Sequence, residues 1–342
     1  MIKNFNTSNS TFIIAEVGVN HNGNMDIAYE LIDEVAKTGA DAIKFQAAIP
    51  ELVTTSYAAK ANYQKKTTKT KETQLEMLNQ IHLPLKALKE LQARCKAKGM
   101  LFFASAFDME SLKFIESLNQ PLHKIPSGEI TNLPYLREIA SFKRPTIIST
   151  GMSSLSEIEA VINVFDEAKV SREYITILHC NTEYPSPMKD LNLRAIQSIK
   201  SHFHGIQVGY SDHSMGIEVP IAAVSLGASV IEKHITLDRN LVGPDHMASI
   251  EPKEFKAMVS AIRNIEKALG KAEKVISHSE KKNLKIARRS IVASKEIKKG
   301  EIFTQNNIIA KRPGSGLSPM FWDEVIGKIA KKTYKKDQQI KI

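Results

Sequence analysis

The sequence predicts a TIM (β/α)8 barrel followed by a small, mostly β domain. Three observations carry that expectation. Eight short apolar runs alternate with stretches of helical spacing over residues 12–270, the pattern of parallel βαβ units. Eight such units in this span suit a barrel of roughly 250 residues. Beyond a lysine-rich stretch at 271–285, helical spacing gives way to short runs and turns. A doubly wound open sheet is the alternative for the first part. It would carry a G-x-G-x-x-G phosphate turn after a strand, a spacing that the glycines within 16–23 lack.

The elements follow in order. Residues 12–15 (Phe-Ile-Ile-Ala) make a buried-type strand, and 25–37 form a helix with apolar positions at Ile27, Ala28, Leu31, Ile32, Val35 and Ala36, stopped by Gly39. Residues 42–45 are the second strand, 83–98 a helix ending at Gly99, and 101–104 the third strand. A short helix near 109–118 leads to strand 122–125, then helix 133–140 and strand 146–149. Ser154 is placed to cap a helix running to 167. Strand 174–178, helix 193–200, strand 206–209, helix 217–226 and strand 229–232 complete the alternation, and 252–269 is a long closing helix before Gly270. Pro220 falls in the first turn of its helix, where proline is tolerated. The domains are thus a barrel at 1–270, a linker at 271–285 and a small module at 286–342, with short strands expected at 290–293 and 301–303.

Composition narrows the class. The chain has 342 residues, 42% hydrophobic and 25% charged, ordinary for a globular protein. No apolar run approaches the roughly 20 residues that cross a bilayer, and residues 1–10 carry no signal-peptide core. Two cysteines, Cys95 and Cys180, exclude a disulfide scaffold. The expectation is a cytoplasmic protein without membrane association. Of the net charge of +10, residues 281–342 hold 16 basic and 5 acidic side chains, a net of +11, so residues 1–280 come to −1. Such a tail suits nucleic acid, anionic lipid, a small anionic substrate or plain solvation.

In a barrel, functional residues stand at the C-terminal ends of the strands. Here those ends read Glu16 with Asn20-His21-Asn22; Lys44 and Gln46; Ser105; Lys124 with Ser127 and Glu129; Ser149; His179 through Pro185; Ser211 with His213; and Glu232-Lys233-His234. One polar end is unremarkable, since strands exit to solvent; eight are harder to explain that way. Lys44, Lys124, Ser105, Ser127, Ser149 and Ser211 offer two positive charges and several hydroxyls, a cradle for phosphate or carboxylate. A Schiff-base lysine is the alternative. His213 and His234 close adjacent strands and suit a divalent metal with open positions, although His21, His179 and His246 also lie near the mouth. Glu16 and Glu129 are the candidate acid–base or water-orienting carboxylates, or structural partners of the lysines.

Nine fragments, in order, resemble the bacterial sialic acid (N-acetylneuraminate) synthase family: residues 15–23, 43–46, 123–129, 149–152, 179–185, 209–213, 232–234, 243–246 and 311–316. The resemblance implies a TIM barrel with a C-terminal antifreeze-like (SAF) domain, condensing phosphoenolpyruvate with N-acetylmannosamine and water to give N-acetylneuraminate and phosphate, for surface polysaccharide. It implies Mn2+, or another divalent ion such as Mg2+ or Co2+, on His213 and His234. It implies phosphoenolpyruvate on Lys44, Ser105, Lys124, Ser127, Ser149, Thr182 and Ser211, and the sugar on Glu16, Gln46, Tyr184 and Asp245. Arg312 would reach the acceptor from the swapped SAF domain of a homodimer partner, and Glu129 would orient the water. One departure is Ala-Ser-Ala-Phe at 104–107, where the family often has Ser-Thr-Pro-Phe. A sibling synthase making legionaminic or pseudaminic acid from a modified N-acylated hexose is the nearest alternative. Further off are a Schiff-base aldolase and a basic module for nucleic acid or acidic glycans.

Overall fold

The structure, a computed structural model, describes residues 10–68 and 71–342. The polar segment 1–9 lies outside the described residues. Contacts divide the chain into two compact units, with the boundary between Gly270 and Lys271.

The first unit has eight parallel strands: β1 (Phe12–Gly18), β2 (Ala42–Ala47), β3 (Leu101–Ala106), β4 (His123–Ile125), β5 (Thr146–Ser149), β6 (Ile175–Cys180), β7 (Gln207–Asp212) and β8 (Val230–His234). Their order, β3-β2-β1-β8-β7-β6-β5-β4, joins the first strand to the last, and the two ends β3 and β4 pack side by side, giving a near-closed barrel. Helices are capped as their sequences suggest. Asn24 accepts from Asp26 and Ile27 N–H groups, and Ser154 forms a capping box with Glu157. Met25–Val35 buries Ala28, Leu31, Ile32 and Val35 against the strands.

Side chains of a strand alternate between faces, and that alternation builds the site. A compact apolar layer, Ile14, Ala42, Phe103, Leu122, Ile147, Leu178 and Val230, is separate from the core shared with the helices. Two residues further along, on the same face, stand Glu16, Lys44, Ser105, Lys124, Ser149, Cys180 and Glu232. The inner face therefore changes from apolar to polar in one step on seven strands at once.

Three features differ from the sequence expectation. Residues 48–86, to which the sequence reading assigns only the start of a helix at 83, hold the short helices Pro50–Val53, Asn62–Thr67 and Gln74–Ile81, and the next helix begins only at Ala87. The stretch 271–285 is not plain linker: His278–Lys281 and Leu284–Ala287 are helical turns, the first set by a Ser277–Glu280 capping box. The strand expected at 301–303 is a single antiparallel bridge, Ile302 to Ile329, with Phe303 turned into the core.

The second unit pairs β9 (Ser290–Ala293) with β10 (Ile308–Lys311), antiparallel. Its own small core gathers Ile291, Ala293, Ile297, Phe303, Ile308, Val325, Ala330, Tyr334 and Ile340. No helix among the described residues is long and apolar enough to cross a membrane.

Candidate functional site

A cavity of about 290 Å³ opens at the C-terminal ends of the strands. Glu16, Lys44, Gln46, Lys124, Ser127, Ser149, Thr182, Tyr184, Ser211, His213, His234 and Asp245 all line it. Ser105 stands behind Lys44, which donates to its hydroxyl at 3.3 Å. Glu129 is outside the lining; it is half-buried and accepts from Asn132 at 2.7 Å. Arg312 belongs to the second unit, exposed, with Nε donating to the Ala287 carbonyl at 3.0 Å.

One residue that the sequence reading gives no role proves central. Glu232 approaches Lys44 at 3.4 Å and Lys124 at 3.5 Å, and accepts from the Ser211 hydroxyl at 3.0 Å. It lies two positions before His234 on the same face of β8, a period-2 signal that could have found it. Lys44 also meets Glu16 at 3.2 Å, and Lys124 donates to Ser149 at 2.7 Å. Burial raises both carboxyls, but the outcomes differ. Glu232 sits between both ammoniums, which overcome burial and hold it at about 2. Glu16 is pushed to about 7 by burial, with Lys44 opposing and the Glu232 charge reinforcing. Burial works against the Lys44 ammonium, yet Glu16 and Glu232 carry its pKa above the ordinary value; Lys124 is lowered by burial despite Glu232. Two lysines thus converge on one carboxylate that stays ionised and one whose charge burial disfavours, the arrangement of a site that can take up an anion.

The hydroxyl groups are fixed around this charge. Ser127 Oγ accepts from the Gly151 N–H at 3.0 Å and lies 3.3 Å from Cys180 Sγ. A Cβ on Gly151 would come within 2.4 Å of Thr182 and 2.9 Å of Ser127, so only glycine fits. Gly18 has φ +57°, and the turn it makes brings its backbone beneath Glu16 and Gln46. Asn181 is consumed by its own loop, accepting from Glu183 N–H and Ser186 Oγ, which leaves Thr182 as the neighbour that faces the cavity.

His213 and His234 converge, with ring centroids 5.3 Å apart. His213 Nδ1 points at the Asn181 carbonyl, so it carries the proton, and Nε2 accepts from the Tyr184 hydroxyl at 3.0 Å. That carbonyl contact is how metal-binding imidazoles are usually oriented. His234 Nδ1 is buried without a hydrogen-bond partner, 3.9 Å from Asp245. Burial lowers His213 to about 4 and His234 well below its ordinary value, while it raises Asp245 to about 7 against the pull of Lys44. Both rings are therefore neutral, the ligating form, and the His234–Asp245 contact is no ion pair. The pair fits a divalent ion with most positions open to substrate and water; among the described residues no group of three or more His, Cys, Asp or Glu side chains forms a fuller set. The other mouth histidines have structural partners: His21 accepts from Gly23 N–H, His179 meets the Leu191 carbonyl, and His246 bonds Thr236.

Comparison with known proteins agrees with this architecture. The profile of the NeuB family matches residues 31–274, and that of the SAF domain matches 288–342. The N,N'-diacetyllegionaminic acid synthase of Campylobacter jejuni is 50% identical over 97% of this chain and 99% of its own length. The enzyme of the same name from Legionella pneumophila is 41% identical, over 95% and 92%. Among solved structures, the N-acetylneuraminic acid synthetase of Leptospira borgpetersenii superposes with TM-score 0.70 at 37% identity, covering 80% of this chain and 90% of the other.

Proposed function

The chain belongs to the NeuB family of nonulosonate synthases, and from that premise we propose that it condenses phosphoenolpyruvate with a di-N-acetylated hexose and water to give an N,N'-diacetyllegionaminic acid and phosphate. The observation that carries this choice is the 50% identity to a relative of that name over nearly the whole of both chains. The expectation of N-acetylneuraminate from N-acetylmannosamine gives way accordingly, since the solved relative with that activity in its name is less similar, at 37%. Phosphoenolpyruvate supplies three carbons and no nitrogen. Both acetamido groups of such a product must therefore arrive on the acceptor.

The anion cradle receives the phosphate and carboxylate of phosphoenolpyruvate on Lys44, Lys124, Ser127, Ser149, Thr182 and Ser211. C3 of the enol bonds to the acceptor's aldehyde carbon. Water then bonds at C2, the C2–O bond breaks, and phosphate leaves; the new alkoxide gains a proton and the added water loses one. With a pKa of about 7, Glu16 can move a proton at the aldehyde oxygen. Glu232 stays charged and holds the lysines in place. Since Glu129 lies outside the cavity, its water-orienting role passes in this reading to Glu16 and Asp245. His213 and His234 would hold a divalent ion, Mn2+ by the family pattern, which when bound polarises the aldehyde as a Lewis acid. Gln46, Tyr184 and Asp245 face the sugar, and Arg312 of a dimer partner's SAF domain completes that pocket.

The test is phosphate release from phosphoenolpyruvate with a panel of N-acylated hexoses. Preference for a di-N-acetylated hexose supports the reading. Turnover with N-acetylmannosamine alone would return the chain to sialic acid synthesis. Borohydride trapping with pyruvate, without phosphate release, would mean a Schiff-base aldolase.

A further inference from the structure

One wall of the cavity belongs to neither the barrel's inner layer nor the helix-facing core. Val19, Met77, Leu78 and Ile81 form a separate apolar cluster, and all four line the cavity. Three of them come from Gln74–Ile81, the last short helix of the segment between β2 and β3. Met77 and Ile81 are buried and Leu78 is half-buried. A helix that packed only for stability would turn these residues onto the main core; this one turns them onto the substrate space. Phosphoenolpyruvate is anionic, and the aldehyde and hydroxyls of a sugar are polar, so neither suits this wall. Beside it, Gln64 and Gln74 also line the cavity. Gln64 Oε1 accepts from Ala61 N–H and its amide also hydrogen-bonds the Tyr63 side chain, whereas Gln74 Oε1 accepts from the Thr54 hydroxyl and its NH2 group is left to offer a carbonyl. An amide donor next to an apolar wall matches an acetamido group, one polar end and one methyl.

We propose that this wall is the specificity element for the acceptor's second N-acetyl group, its methyl seated against Met77, Leu78 and Ile81. The inference rests on the functional reading above and deepens it. An apolar pocket of this kind discriminates by about 10- to 200-fold per methyl-sized group.

The experiment measures kcat/KM for phosphate release with a di-N-acetylated hexose and with its analogue bearing a free amine in place of the second acetamido group. It uses wild type, Leu78→Asn and, because Met77 is buried and its variant can fail to fold, Leu78→Phe as the second variant rather than a Met77 change. Circular dichroism and the KM for phosphoenolpyruvate report folding and the anion cradle. Both variants should lower the diacetylated-to-monoacetylated preference by about tenfold or more and leave the phosphoenolpyruvate KM unchanged. An unchanged preference in folded variants overturns this inference alone. If the wild type does not use the diacetylated hexose, the functional reading falls and this inference with it.

Discussion

Two buried lysines meet two buried glutamates, of which Glu232 is held ionised and Glu16 is raised toward its neutral form. Removing one partner of such a set leaves an uncompensated charge. Lys124→Met should therefore weaken phosphoenolpyruvate binding by about one to two decades, since a hydrogen bond to a charged group is worth about 1.5–3 kcal/mol and about 1.4 kcal/mol is tenfold. The apparent KM for phosphoenolpyruvate measures it; an unchanged value would place the anion elsewhere. Glu16 gives a second test. Its folded pKa of about 7 lies above the unfolded value of 4.5, so its protonated form is the one that folding favours. The resulting stability is full below pH 4.5 and lost as pH rises to 7. Glu16→Gln cannot ionise, so its thermal midpoint should gain on the wild type between pH 4.5 and 7 and run parallel above that. A constant difference across this window would show that Glu16 does not titrate there. Most residues of the ring were legible because polar side chains interrupt apolar runs. Alternation along β8 puts Glu232 on the inner face, but its role lies in pairing across the barrel with Lys44 and Lys124, and that pairing is not a local pattern.

At the scale of elements, the parallel strands announce themselves through apolar runs, since both faces are covered. Their ends announce themselves as the first polar residue on the inner face, as in Ile14 to Glu16 or Ala42 to Lys44. The segment 48–86 gave no such signal. Its helices are four to eight residues long, too short for a periodicity to emerge, and in the last of them Met77, Leu78 and Ile81 face a cavity rather than the main core. The adjacency of β7 and β8 was legible from chain order, and with it the meeting of His213 and His234. His213→Ala and His234→Ala should each fold normally and lose Mn2+ binding by calorimetry as well as most turnover. In the wild type a chelator should abolish activity and Mn2+ restore it. Full Mn2+ affinity in either variant would remove that residue from the ligand set.

For the whole molecule, the uneven charge is the feature that composition shows most plainly. A net of +11 on residues 281–342 beside a nearly neutral 1–280 is an odd division for two units that share one chain by accident. It is a sensible one if the small unit helps to draw in an anionic substrate. Arg312 is exposed on the second unit, in a Pro- and Gly-flanked turn held to Ala287, and its guanidinium can donate to an acetamido carbonyl. If it completes the acceptor pocket of the other protomer, then Arg312→Ala chains and His213→Ala chains, each inactive alone, should regain activity when refolded together. Each heterodimer would contain one site with both defects and one with neither. Free exchange in a two-fold dimer gives about half heterodimers, hence up to about a quarter of wild-type sites. The measurement is phosphate release from the mixture, with heterodimer formation confirmed by differently tagged chains. Heterodimers that form and stay inactive would show that Arg312 serves its own chain's site, or none, and the positive charge of the small unit would then need another partner.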